Sequence, residues 1–214
     1  MPELGFTVRS AEAARYAAAP RISLELGIVT SAPVKALLLR CQVRIAVSRR
    51  DYAASENACL GELFGDRARS HLSLLWAELV TNVSEFESET TIELGLPVSH
   101  HVDTAIAKYL RALDGGVVPI ELLFSGSIFH TPALGTLSVS PIPWSKEAHF
   151  SLPRALVRQA LELHDPDSEP VPLGRELIRR LDAFRIERNL AGIDRAIEAL
   201  LDQNSRRPEG SGLQ

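Results

Sequence analysis

With 214 residues, 45% of them apolar and 23% charged, the chain is long enough for one large domain, or one domain with an appendage, and apolar enough to bury a sizeable core. A net charge of −4 supplies no general attraction to nucleic acid or to an anionic membrane, so binding to either by bulk electrostatics is excluded. Cys41 and Cys59 form no C-x-x-C pair and Met1 to Phe6 does not open a signal peptide, which together predict reduced thiols in a cytoplasmic protein. No apolar window is long enough to span a bilayer.

Period-two alternation dominates the first two thirds of the chain. Ile22, Leu24, Leu26 and Ile28 alternate with Arg21, Ser23, Glu25 and Gly27, the pattern of a strand with one wet face. Leu37, Leu39, Cys41, Val43, Ile45 and Val47 repeat it against Arg40, Gln42, Arg44 and Ser48, and Cys41 falls on the apolar side as a small hydrophobe. Glu56 to Phe64 reads as a short inserted helix stopped by Gly65. Thr90, Ile92, Leu94, Leu96 and Val98 mark another strand. A second inserted helix follows, with Val102, Ile106, Tyr109, Leu110 and Leu113 on one stripe and Asp114-Gly115-Gly116 ending it.

Val117 to Phe129 is apolar on both faces at its start, as in a central or covered strand. In the next run Trp144, Ala148, Phe150 and Leu152 oppose Ser145, Glu147, His149 and Ser151, which would carry Trp144 into the core. Phe6 to Arg9, Leu72 to Val83 and Leu134 to Val139 complete the predicted strands.

After Leu152 the period lengthens. Pro153 opens a helix carrying Leu156, Val157, Ala160, Leu161 and Leu163. Beyond the Pro-containing loop from Asp165 to Pro172, a longer helix holds Leu173, Leu177, Leu181 and Phe184 and closes at Asn189. Leu190, Ile193, Ile197, Leu200 and Leu201 mark a final one. The expected class is therefore α+β: mainly an antiparallel β-sandwich or curved sheet, with short inserted helices and a C-terminal helical segment. The expected divisions are a β-rich domain over 1–152 with helices near 56–64 and 102–113, C-terminal helices over 153–203 packed on the sheet or on a partner, and a disordered tail over 204–214.

Motifs that commit to a reaction are missing. There is no G-x-S-x-G, and Ser125 lies within a strand run rather than at a strand-to-helix elbow. Cys59 has no histidine near it in sequence, and the Asp114 turn has neither a G-x-G-x-x-G nor a P-loop lysine. Adjacent His100 and His101 read as an exposed turn before a helix, and Asp165 and Asp167 lack calcium-loop spacing. His71 and His164 stand alone. His149 shares a face with Glu147, and His130 ends another strand, so folding could bring these together as a metal or small-ligand site, with His100 and His101 as further candidates.

On the long C-terminal helix Arg175, Arg179, Arg180, Arg185 and Arg188 alternate with Glu176, Asp182 and Glu187, a solvated face suited to an acidic protein surface better than to RNA. Trp144, Arg175, Arg179, Arg180, Phe184 and Arg188 are the candidate interface residues. No residue is assigned to catalysis, a cofactor or a metal, and no cofactor is called for.

Val34 to Ile45 (VKALLLRCQVRI), Lys108 to Phe129 (KYLRALDGGVVPIELLFSGSIF) and Ile142 to Pro153 (IPWSKEAHFSLP), with Glu62-Leu63-Phe64-Gly65, Arg188-Asn189-Leu190 and Ala196 to Leu201, resemble an uncharacterised bacterial family. Its members are often encoded among the genes of actinobacterial-type NiFe hydrogenases, and the resemblance runs from Pro2 to about Leu201. It implies a role in hydrogenase maturation, assembly or partner docking. It does not imply the hydrogenase itself, because two isolated cysteines supply neither paired metal ligands nor iron–sulfur clusters. The expectation is a non-enzymatic accessory or binding protein. Its partner would be a protein, with hydrogenase subunits or maturation factors as candidates, and neither nucleic acid nor membrane; self-association stays open. The alternative is a metal or small-ligand binding protein using histidines clustered by the fold.

Overall fold

The computed structural model describes residues 2–65, 73–98, 105–132, 135–163 and 173–205. It is an α+β protein with two antiparallel sheets, and the described chain divides into two units, Met1–Pro170 and Val171–Gln214.

In the first unit, β1 (Leu4–Ala13), β2 (Arg21–Thr30) and β5 (Glu89–Pro97) form a three-stranded sheet with β2 in the middle. The second sheet runs β4 (Ser73–Val83), β3 (Ala36–Ala46) and β6 (Val117–His130), with both β7 (Ser138–Pro141) and β8 (Glu147–Pro153) on the far side of β6. The alternation read in β2 and β3 puts Ile22, Leu24, Leu26, Ile28, Leu37, Leu39, Cys41, Val43 and Ile45 wholly out of solvent. Facing rows of apolar side chains close the interior, and Phe6 of one sheet stacks on Phe124 of the other with ring centroids 4.0 Å apart.

Leu94, Leu96 and Val98 are buried, as the third alternating run requires. Opposite Val43 and Arg44, β4 carries one extra residue, Trp76, and this bulge turns the indole so that its Nε1 donates to the Pro97 carbonyl at 2.9 Å.

β6 is central, as its apolar start suggests, and two neighbours share its length. Residues 117–123 pair with β8, residues 127–130 with β7, and Gly126 sits between. At Gly126 φ is +132°, and a Cβ there would lie 2.0 Å from the Leu38 carbonyl oxygen, so only glycine lets β6 bend against β3.

α1 (Ala54–Phe64) and α2 (Ala105–Ala112) are the two inserted helices. Gly65 ends α1 with φ +73° and its N–H on the Gly61 carbonyl, the stop anticipated from sequence. α2 buries Tyr109 and Ala112, with Leu113 just beyond it; Val102 lies outside the described residues. α3 (Arg154–Glu162) begins after Pro153, buries Val157 and Ala160, and packs on β1, β2 and β8, so it belongs to the β-rich unit.

Two strand expectations need correction. The Leu134 to Val139 run is extended too early: pairing starts only at Ser138, where the chain comes alongside His130. Trp144 is not on the core face of β8. Pro143 to Lys146 form a tight turn, closed by the Lys146 N–H on the Pro143 carbonyl, and it leaves Trp144 92% exposed.

The second unit holds α4 (Arg175–Glu187) and α5 (Ile193–Ser205), which contact each other. Asn189 takes the left-handed conformation at φ +52° and closes α4 where the sequence suggested. Leu190 is not part of α5; its N–H caps the Arg185 carbonyl in the connection. Leu173 likewise precedes α4. Among the described residues of this unit only Leu181 and Ala196 are buried.

Candidate functional site

Two polar constellations stand out among the described residues, one internal and one at the surface. The internal one joins the β3–α1 connection to the α2–β6 connection. Glu56, 3% exposed, accepts from the Arg50 guanidinium and the Asp114 N–H through Oε1, and from the Ala53 N–H through Oε2. Arg50 also donates to the carbonyls of Gly115 and Val117 at 3.0 and 2.9 Å.

Beside it, Tyr52 gives its single hydroxyl proton to the Val47 carbonyl at 2.7 Å, so the Tyr109 hydroxyl, 2.9 Å away, must donate to Tyr52. Burial, and then that bond, push the Tyr109 hydroxyl far above the ordinary tyrosine range, so it stays neutral. Every buried side-chain polar atom among the described residues has a partner. The cluster is closed, and its chemistry is that of a staple. Sequence reasoning missed it, although Glu56 three residues after Ala53 is half of a capping box and was a legible signal.

The surface constellation lies on the outer face of the five-stranded sheet. Register sets Glu121 of β6 directly opposite His149 of β8, and Glu147 is two residues before His149 on the same face. Glu147 Oε1 lies 3.3 Å from His149 Nε2, and Glu121 Oε1 lies 3.8 Å from Nδ1. Arg49, in the turn after β3, reaches the same Glu121 oxygen at 3.7 Å. One donor atom from each of Glu121, Glu147 and His149 fits within a 4.8 Å group, a combination able to hold a metal ion.

The expected pairing of His149 with Glu147 is therefore present, and its gathering with His130 is not. His130 is nine residues along β6 from Glu121, about 30 Å of strand, on the opposite face, buried and 3.0 Å from the Ser140 hydroxyl. Glu121 takes its place. The residue was visible as the one charge within an otherwise apolar run, but its partner depends on strand register, which spacing does not encode.

His71, His100, His101, His164, Asp165 and Asp167 lie outside the described residues. Cys59 is exposed on α1. Burial holds the Cys41 thiol up at about 12.

Of the candidate interface residues, Trp144 projects from its turn, Arg175, Arg179 and Arg180 are exposed on α4, and Arg188 is exposed at its C-terminal cap. Arg179 pairs with Glu176 and Arg185 with Asp182, while the Arg188 guanidinium lies 5.4 Å from the Phe184 ring centre. On the same two helices Leu177, Ile178, Ile186 and Leu200 are 42, 41, 65 and 39% exposed.

No helix among the described residues is long and apolar enough to cross a membrane. No curated protein matches the sequence. A solved β-glucosidase from Kluyveromyces marxianus aligns with 69% of this chain at 7% identity and a TM-score of 0.26; the match spans 15% of that enzyme, and such a likeness assigns nothing here. The family comparison is decisive over nearly the full length: with residues 1–209 matched, the chain belongs to DUF6084, a family of unknown function.

Proposed function

We propose that this protein works by protein–protein contact and not by catalysis, as a cytoplasmic accessory factor in the assembly, maturation or partner docking of a NiFe hydrogenase. The observation that carries the reading is the helical unit. Among the described residues, two helices of 13 residues each bury only Leu181 and Ala196, while Leu177, Ile178, Ile186 and Leu200 stay in contact with water. An amphipathic helix gains its stability by covering such a face, so apolar side chains left bare at this density favour a partner. Exposed Arg175, Arg180 and Arg188 surround them and suit an acidic protein surface, giving orientation and a faster encounter. Trp144 adds an exposed aromatic of the kind that anchors interfaces.

The resemblance to proteins encoded among hydrogenase genes supplies the class of partner. Affinity purification of the full chain from hydrogenase-expressing cells of its native host, read by mass spectrometry, tests it. Recovery of hydrogenase subunits or maturation factors by the natural chain, and their loss with Ile178→Asp and Ile186→Asp together, is the expected result. Recovery of neither class of protein would remove the hydrogenase assignment, and recovery untouched by the aspartates would remove the helical face.

A further inference from the structure

The donors on the outer face of the five-stranded sheet are independent of the protein-contact reading and use none of its residues. His149 has a carboxylate beside each ring nitrogen, at 3.3 Å on Nε2 and 3.8 Å on Nδ1. Both separations exceed the roughly 2.7–2.9 Å of a charge-assisted hydrogen bond. Glu147 makes a long hydrogen bond to Nε2, and Glu121 stays beyond hydrogen-bond distance of Nδ1. The same 3.3 Å between Nε2 and Glu147 Oε1 matches the edge of a tetrahedron around an ion with bonds of about 2.0–2.1 Å.

Glu121 Oε1 stands nearest the other ring nitrogen, at 3.8 Å, yet belongs to the same 4.8 Å group with one donor atom per residue. Rotation of the imidazole and the Glu121 side chain would therefore bring this oxygen onto the ion as a third ligand. Two paired strands set the spacing, since Glu121 faces His149 across the ladder and Glu147 precedes it on the same face. The site therefore needs no backbone movement. Arg49 is the competitor: it lies 3.7 Å from Glu121 Oε1, but its side chain is 52% exposed and can leave for water at little cost.

We infer that Glu121, Glu147 and His149 form a surface site for a divalent first-row transition metal, with zinc as the representative ion and water at the solvent side. An imidazole with two carboxylates suits zinc, iron or nickel, whereas calcium and magnesium prefer all-oxygen sets. Three protein ligands and an open position are the arrangement of an exchangeable site, in contrast to the closed four-ligand cage of a structural one.

The test is titration of the full chain with Zn²⁺ in competition with a chromophoric chelator, beside H149A, E121Q and E147Q. The circular dichroism of each variant checks its fold. The expected result is one zinc on the natural chain, weakened by more than about tenfold in H149A, since even an outer-shell partner is worth that much. E121Q and E147Q, which keep side-chain shape, should each weaken it to a comparable degree and carry the test if H149A does not fold. Mg²⁺ should fail to displace the zinc. Binding that survives H149A unchanged belongs to other histidines of the chain and overturns the assignment, as does the absence of binding at micromolar zinc.

Discussion

Replacing Glu56 with alanine removes one carboxylate on which a guanidinium and two backbone amides converge. The side chains of Arg50 and Glu56 are 13 and 3% exposed, so the pair is desolvated, and the cost of breaking it falls in the range of about 3–5 kcal/mol. The Ala53 and Asp114 amides lose their acceptor in the same step. Water entering the vacated volume offsets part of that loss, so the total stays near the upper half of the same range instead of adding about 1–3 kcal/mol per amide. In a chain of this size about 1 kcal/mol moves the melting temperature by roughly 2–4 °C, and Glu56→Ala should lower it by about 8–20 °C in thermal unfolding followed by circular dichroism. Arg50→Ala in the same background should cost less than it does alone, because the orphaned cation is gone, with a coupling of about 1–3 kcal/mol in the double-mutant cycle. The control is Glu78→Ala, which breaks an exposed pair 3.6 Å from Arg40 and should change stability by less than about 0.5 kcal/mol. If the Glu56→Ala and Glu78→Ala melts coincide, the staple does not hold the two connections together.

Gly126→Ala forces a Cβ against the Leu38 carbonyl at a backbone angle that L-residues avoid, and should cost about 3 kcal/mol or more, read as a lower urea midpoint; an unchanged midpoint would show that β6 does not need its bend. In the folded protein a disulfide reagent at mildly alkaline pH should consume one thiol quickly, exposed Cys59, while buried Cys41 waits for unfolding. The Cys41 thiol is pushed from an ordinary 9.0 up to about 12, so the folded state holds its proton longer than the unfolded one. Its contribution to stability is complete below pH 9 and declines as pH rises toward 12, a slope that Cys41→Ala should lack in denaturant titrations. Trp76→Phe, which leaves only Trp144 to emit, should fluoresce like tryptophan in water and be quenched freely by iodide, whereas Trp144→Phe should emit further to the blue and resist quenching.

Strands with one dry face were legible because the period-two pattern is imposed by burial itself: β2, β3 and β5 are read almost residue for residue. Helix ends marked by Gly65 and Asn189 were equally legible, since both positions require a left-handed backbone. Trp144 was misplaced because alternation was carried back beyond Glu147, where β8 begins, into the turn closed between Pro143 and Lys146. The surface site was half legible. Glu147 and His149 share a face by simple parity, but Glu121 joins them only through the ladder between β6 and β8, and one sequence does not state which strands are neighbours. The Arg50–Glu56 staple was legible only in its local half, Glu56 three residues after Ala53; its partners at Asp114, Gly115 and Val117 come from a connection that meets it only after the chain has folded.

The order in which strands leave the ribosome has a consequence for how the chain must be made. β3 is sandwiched between β4, which follows within the same stretch of chain, and β6, whose last residue is His130; Leu37 waits for Ile128. β2 waits similarly for β5, pairing Ile22 with Leu96. Contacts this distant raise the contact order and slow folding. Until β6 emerges, the nascent chain presents one bare edge of a strand rich in leucine, valine and isoleucine, the template on which strands from other molecules add. Fast overproduction should therefore partition this protein into aggregates, and slowing translation or supplying a holdase until β6 has docked should recover it in solution.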